Sequence, residues 1–179
     1  MQSRFLAAPT FAGYLAGVSA NPELWTAVSR RARVAPAALA RAAALPGRWH
    51  LLAISEDWCG DAVNSLPYIA RLAELAPGLE LRVVGREANP DLMSAHLTNG
   101  ARSIPVVIAY DESFVERGWW GPRPGELQAW VLGPGRALEK AARYREVRRW
   151  YARDGGLTTI DELLAMLEAA AAARDGQAA

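Results

Sequence analysis

A chain of 179 residues is long enough for one domain with a substantial core, and its formal charge of +1 excludes a general pull toward nucleic acid or an anionic membrane. With 51% hydrophobic and 22% charged residues it has the balance of a soluble globular protein, and no apolar run approaches the ~20 residues a membrane span needs. Cys59 is the only cysteine, which excludes an internal disulfide and any cysteine-built metal site.

Met1 to Ala20 imitates a secretory leader faintly, with Arg4, then Phe5-Leu6-Ala7-Ala8, then Val18-Ser19-Ala20. Pro9, Thr10, Gly13 and Gly17 interrupt the run, and Phe11, Tyr14, Leu15 and Val18 fall at helical spacing. The expectation is an amphipathic helix and a cytoplasmic protein. Asn21-Pro22-Glu23 then starts a helix, with Asn21 as cap, and Trp25, Val28 and Val34 facing inward. Arg30, Arg31 and Arg33 read as its solvated end. A further helix runs from Pro36 to about Leu45, where Pro46-Gly47 stops it.

His50 to Ser55 is short and almost continuously apolar, the pattern of a strand covered on both faces. Ser55, Glu56 and Asp57 break the run, and from Asp61 onward Ala62, Leu66, Ile69, Ala70 and Leu72 recur at helical spacing. Leu79 to Val84 alternates as a second strand, so the helix between them makes a parallel crossover. Asn89-Pro90-Asp91 begins a helix through about Leu97. Pro105 to Tyr110 is a third strand, with proline tolerated at its first position, and Phe114 to Trp119 an antiparallel partner. Leu127, Trp130 and Val131 suggest a short helix, and Ala137 to about Arg153 a long one. Its Arg143, Arg145, Arg148, Arg149 and Arg153, laced with Glu139 and Glu146, read as a solvated face. After Thr158 and Thr159 a last helix docks Ile160, Leu163, Leu164 and Leu167, and the Ala- and Gly-rich end beyond it is expected to fray. The result is an α/β fold: one domain over 1–179, with a four-stranded mixed sheet sandwiched between helices over about 48–133 and helical extensions at 7–45 and 136–172.

Trp58-Cys59-Gly60 therefore lies where a buried strand gives way to a helix. This junction resembles the active-site turn of the thioredoxin-like superfamily, in which Trp-Cys-x-x-Cys joins the first core strand to its helix. Pro67, eight positions after Cys59, matches the proline inside that family's helix, and Arg102-Ser103-Ile104-Pro105 resembles the segment carrying its cis-proline. The Trp-Cys-Gly-Asp form, with Trp120-Gly121-Pro122-Arg123-Pro124, resembles one bacterial subgroup. The resemblance implies a thioredoxin-like three-layer sandwich, a cis bond before Pro105, and a substrate chain pairing with the backbone at Ile104. Ala62 stands where the second cysteine belongs, and Ala53, six residues before Cys59, where the family's dithiol members carry a buried acid.

The chemistry follows from the thiol's position. A cysteine at a helix start meets unpaired amides and the positive dipole end, which favour thiolate, while Asp57 and Asp61 oppose it. The expectation is a reactive Cys59 ionising below the free-thiol value of about 8.5. With no resolving thiol, Cys59 is read as a monothiol nucleophile forming mixed disulfides with a small thiol or protein thiol, cleared by an external thiol. Trp58 and Asp61 would line the pocket, Ile104 and Pro105 would frame the substrate, and Arg102 would receive a substrate carboxylate or join an ordinary ion pair. No bound cofactor is expected; a low-molecular-weight thiol would serve as cosubstrate. The alternative is a degenerate binding module without turnover, in which the Trp119-Trp120-Gly121-Pro122-Arg123-Pro124 stretch is the surface of interest or, more simply, a rigid core-packed turn.

Overall fold

The computed structural model describes residues 1–177. In chain order the elements are α1 (Gln2–Ala7), α2 (Phe11–Ala16), α3 (Pro22–Arg31), α4 (Pro36–Ala44), β1 (Trp49–Ser55), α5 (Gly60–Leu75), β2 (Leu79–Gly85) and α6 (Pro90–Ala95). There follow β3 (Val106–Tyr110), β4 (Glu116–Trp120), α7 (Gly125–Leu132), a 3-10 turn over Pro134–Ala137, α8 (Lys140–Asp154) and α9 (Leu157–Gln177).

The sheet order is β2-β1-β3-β4, with β1 parallel to β2 and antiparallel to β3, and β4 antiparallel to β3. This is the mixed four-stranded sheet flanked by helices that the sequence implies. β1 is central, so both its faces are covered and Leu51, Leu52, Ala53 and Ile54 are wholly buried. Ala53 sits between Val83 of β2 and Val107 of β3. On α5, Ala62, Leu66, Ile69 and Leu72 share the buried stripe, each large side chain contributing about 1.5–3 kcal/mol by leaving water. Pro67 lies inside this helix and removes the bond its amide would make to the Val63 carbonyl.

The edges and ends are where the structure departs from expectation. The first 20 residues form two short helices, because Pro9 is drawn onto the outer edge of β2: the Val83 amide donates to the Pro9 carbonyl at 3.0 Å, and Thr10 bridges Arg82. An otherwise open strand edge is thereby paired. Asn21 precedes α3 but does not cap it through its side chain; its backbone is left-handed, with φ of 56°. β4 starts at Glu116 rather than Phe114, because the Asp111 carboxylate accepts the amides of Ser113 and Val115 and holds the turn open through Phe114. α8 starts at Lys140, after the 3-10 turn, and α9 begins ahead of the two threonines and continues through the Ala-rich segment expected to fray. Residues 178–179 of that end lie outside the described residues.

α9 ties the additions together. It packs on β4, α5 and α4, and Arg41 of α4 reaches Asp161 at 2.5 Å and both oxygens of Glu168 at 2.7 and 2.8 Å. Two glycines set close approaches. A side chain at Gly156 would collide with the ring of Tyr68, and one at Gly121, whose φ is +134°, would meet the Pro105 carbonyl oxygen. The second approach seats the segment after β4 directly against the Ile104–Pro105 loop.

Candidate functional site

Cys59 is the N-cap residue of α5. Its Sγ accepts the Ala62 amide at 3.4 Å and donates to the Ile104 carbonyl at 3.3 Å. The residue is only 7% exposed. Burial pushes the thiol up to about 11; the Ala62 amide pulls the other way, and the Asp61 charge adds to the rise. The expected depression below a free thiol is thus reversed, because desolvation outweighs the helix-start amides. At neutral pH the resting group is a protonated thiol, with thiolate on the order of one molecule in ten thousand.

The two aspartates play separate parts. Asp57 does not face the thiol: its Oδ2 accepts the Ser19 amide at 2.8 Å, the Ser19 hydroxyl at 3.0 Å and the Ala20 amide at 2.8 Å. Those amides, Ala20 first, hold its carboxyl below the usual range. The Trp25 indole donates to the Asp57 carbonyl at 2.8 Å, so the segment from Ser19 through α3 braces the turn before Cys59. Asp61 instead takes a short charge-assisted bond from Arg123 Nη2 and one from the Tyr151 hydroxyl at 3.0 Å. Arg123 Nη1 continues to Gln128 Oε1 at 2.6 Å. Burial lifts Tyr151 well above its usual range, so it remains a neutral donor.

Asp57, Asp61 and Arg123 border a cleft of about 510 Å³ that is also lined by Cys59 and Ile104. Trp58, 54% exposed, stands on its rim with the Arg86 guanidinium 5.1 Å from its ring centroid. Asp61 and Arg102 also line it. Arg102 lies 3.6 Å from Glu87, a loose ion pair that leaves its side chain half exposed. Pro105 does not line the cleft; it is buried behind Ile104, against Gly121, and the Ile104–Pro105 and Gly121–Pro122 bonds are both cis. Sequence reasoning missed Arg86, Arg123, Tyr144, Val147 and Arg148 as cleft residues. The last three form a wall from α8, and nothing in a polar helical face distinguishes a wall from a solvated surface. Arg149 pairs with Glu146 at 2.5 Å. Trp120 is core, its indole donating to Glu162 at 2.8 Å, which is the rigid-turn reading of that stretch.

The histidines lie away from the cleft. His50 stacks on Phe114 at 4.2 Å between ring centroids, and His96 bonds the Leu92 carbonyl at 2.7 Å and Glu116 at 2.9 Å. Among the described residues, no helix is long and apolar enough to cross a membrane.

Residues 8–148 match the Thioredoxin family, well over half of the chain and every landmark of the cleft floor. This chain belongs to the thioredoxin-like family. Two solved structures share the fold. One is a crystal structure of a protein of unknown function, PA1234, from Pseudomonas aeruginosa, with a TM-score of 0.74 at 22% identity, covering 93% of this chain and 96% of that one. The other is an HIV epitope-scaffold, with a TM-score of 0.75 at 19% identity, covering 94% and 97%. No curated protein is significantly similar to the chain. Within the thioredoxin-like frame, Cys59 occupies the strand-to-helix junction, and the wholly buried Ala62 and Ala53 leave it without a second thiol or a neighbouring buried acid.

Proposed function

We propose that this protein is a monothiol thiol–disulfide exchange protein of the Trp-Cys-Gly-Asp bacterial type, working through Cys59 in the cytoplasm. The observation that carries this reading is the seat of Sγ on the cleft floor, between the Ala62 amide and the Ile104 carbonyl. The thiol first loses its proton to solvent, and the Ala62 amide and α5 dipole hold the resulting thiolate. The thiolate attacks one sulfur of a substrate disulfide. A bond forms between Cys59 and that sulfur, the original disulfide bond breaks, and the leaving thiolate takes up a proton. An incoming substrate displaces the thiol from Ile104, whose backbone then pairs with the bound chain. Because no second cysteine exists, a low-molecular-weight thiol clears the mixed disulfide, and no bound cofactor is required. Trp58 and Asp61 shape the mouth of the site, Pro105 fixes Ile104, and Arg102 offers a cation to a substrate carboxylate.

The test is reduction of insulin or a small mixed disulfide, with glutathione absent and then present. Turnover that requires the added thiol and disappears in Cys59→Ser is the expected result. Turnover surviving that substitution removes Cys59 from the mechanism. A second reading, a binding module without turnover, draws on the depth of the thiol and its upward shift to about 11. It prevails if neither condition gives turnover while a partner binds wild type and Cys59→Ser equally.

A further inference from the structure

The charge around the cleft is far from the chain's near-neutral total of +1. A second hollow of about 280 Å³ adjoins the first, sharing Asp61, Arg123, Tyr144 and Val147 with it. Together the two are lined by six arginines, Arg86, Arg102, Arg123, Arg136, Arg143 and Arg148, and by two carboxylates, Asp57 and Asp61. Both carboxylates are already engaged, Asp57 by the amides of Ser19 and Ala20 and Asp61 by Arg123 and Tyr151. Arg86 and Arg102 share one acid, Glu87, at 2.7 and 3.6 Å. Among the described residues, Arg136, Arg143 and Arg148 form no ion pair, although Arg149 on the same helix does. Six guanidinium groups gathered around one concave site, three of them without an acidic partner and two more sharing a single one, set up a field that concentrates anions.

We infer that the cleft selects anionic disulfides: substrates carrying carboxylates on both sides of the reacting sulfur. Arg86 and Arg102 receive one flank, and Arg143 and Arg148 on the α8 wall, with Arg136 beyond them, receive the other. Carboxylates suit this set because the planar fork of arginine bonds both oxygens at once. The shared chemistry is found in a low-molecular-weight acidic disulfide and in an acidic polypeptide segment around a cysteine. This inference rests on Cys59 as the reacting group, and the exchange step is the one given above: one disulfide bond forms at Cys59 as another breaks, and the anionic leaving thiolate carries away the electron pair.

The experiment compares the reaction rates of wild type with 5,5′-dithiobis(2-nitrobenzoate), which bears carboxylates, and with uncharged 4,4′-dithiodipyridine. Each rate is divided by that of free N-acetylcysteine with the same reagent. The expected preference for the carboxylate reagent is about tenfold at low salt, shrinking as salt screens the field. In Arg143→Glu/Arg148→Glu the ratio of the two rates should fall to the free-thiol ratio or below. Equal normalised rates in wild type, or a preference insensitive to both salt and charge reversal, would overturn the inference. Failure of Cys59 to react with either reagent would sink the exchange reading instead. The anion preference is then read in Cys59→Ser by isothermal titration calorimetry, titrating glutathione disulfide and the peptide Glu-Glu-Ser-Glu-Glu. Saturable binding of either, weakened at least about fivefold by the charge reversal, supports the preference, and the tighter of the two identifies the source. No binding of either, or tighter binding of a single-stranded oligonucleotide, overturns it.

Discussion

Asp61 holds the polar side of the site together by accepting from both Arg123 and Tyr151, and its charge is one reason the nearby thiol resists ionisation. Asp61→Asn keeps an acceptor for Tyr151 but removes the charge, leaving the Arg123 guanidinium facing Cys59 without an acid between them. The thiol should therefore ionise at lower pH, and alkylation by iodoacetamide at neutral pH should speed several-fold. A pH series of alkylation rates measures this, and a midpoint that stays or rises would show that burial alone controls the thiol. The same change should cost less than the ~3–5 kcal/mol of stripping one partner from a fully buried pair, because the amide still accepts a bond. Arg123 marks the limit of residue-level legibility. Its stretch stands out in the sequence, yet that its guanidinium reaches Asp61 depends on Gly121 lying against Pro105, a contact that no local pattern encodes.

At the scale of elements, β1 and α5 were legible because each buries one continuous apolar pattern, and local periodicity suffices for that. The parallel pairing of β1 with β2 followed from the helix between them. The elements that sequence misjudged are those shaped by distant partners: Pro9 drawn onto the edge of β2, Phe114 held in a turn by Asp111, and the α8 face that becomes a cleft wall. The start of α5 offers a direct test of its geometry. Ala62→Cys places a thiol one turn along from Cys59, whose sulfur already meets the Ala62 amide at 3.4 Å. An internal disulfide should form under mild oxidation, seen as loss of free thiol and of two hydrogens by mass. The reduced variant should be destabilised by about 1–3 kcal/mol, since the site is wholly buried. Failure to close the bond would mean that the first turn of α5 does not present position 62 toward Cys59.

For the molecule as a whole, half-buried His50 and buried Cys59 lower stability at opposite ends of the pH range. Burial lowers the pKa of His50, wedged 4.9 Å from Phe5 and 4.2 Å from Phe114 by ring centroids. Its folded value lies below the unfolded ~6.5, so the unfolded chain takes up the proton first and stability falls as pH drops below about 6.5. Cys59 is shifted upward to about 11, so the unfolded thiol ionises first and stability falls as pH rises beyond ~8.5. Urea unfolding at about pH 5.5, 7.5 and 10 should therefore peak near neutrality. His50→Phe should flatten the acid limb and Cys59→Ala the alkaline one, each limb steepening by no more than ~1.4 kcal/mol per pH unit per proton. A profile unchanged by either substitution would place the responsible groups elsewhere. The depth of Cys59 also constrains how copies of the chain can age together in air. A covalent bridge between two molecules needs their cysteine Cα atoms within about 7 Å of each other. Each sulfur lies in a cleft, 7% exposed and beside the α8 wall, so two folded copies are expected to be held apart by the cleft rims. Oxidation in air should therefore leave capped monomers rather than linked pairs, and a covalent dimer on non-reducing electrophoresis would show that the cleft does not shield the thiol.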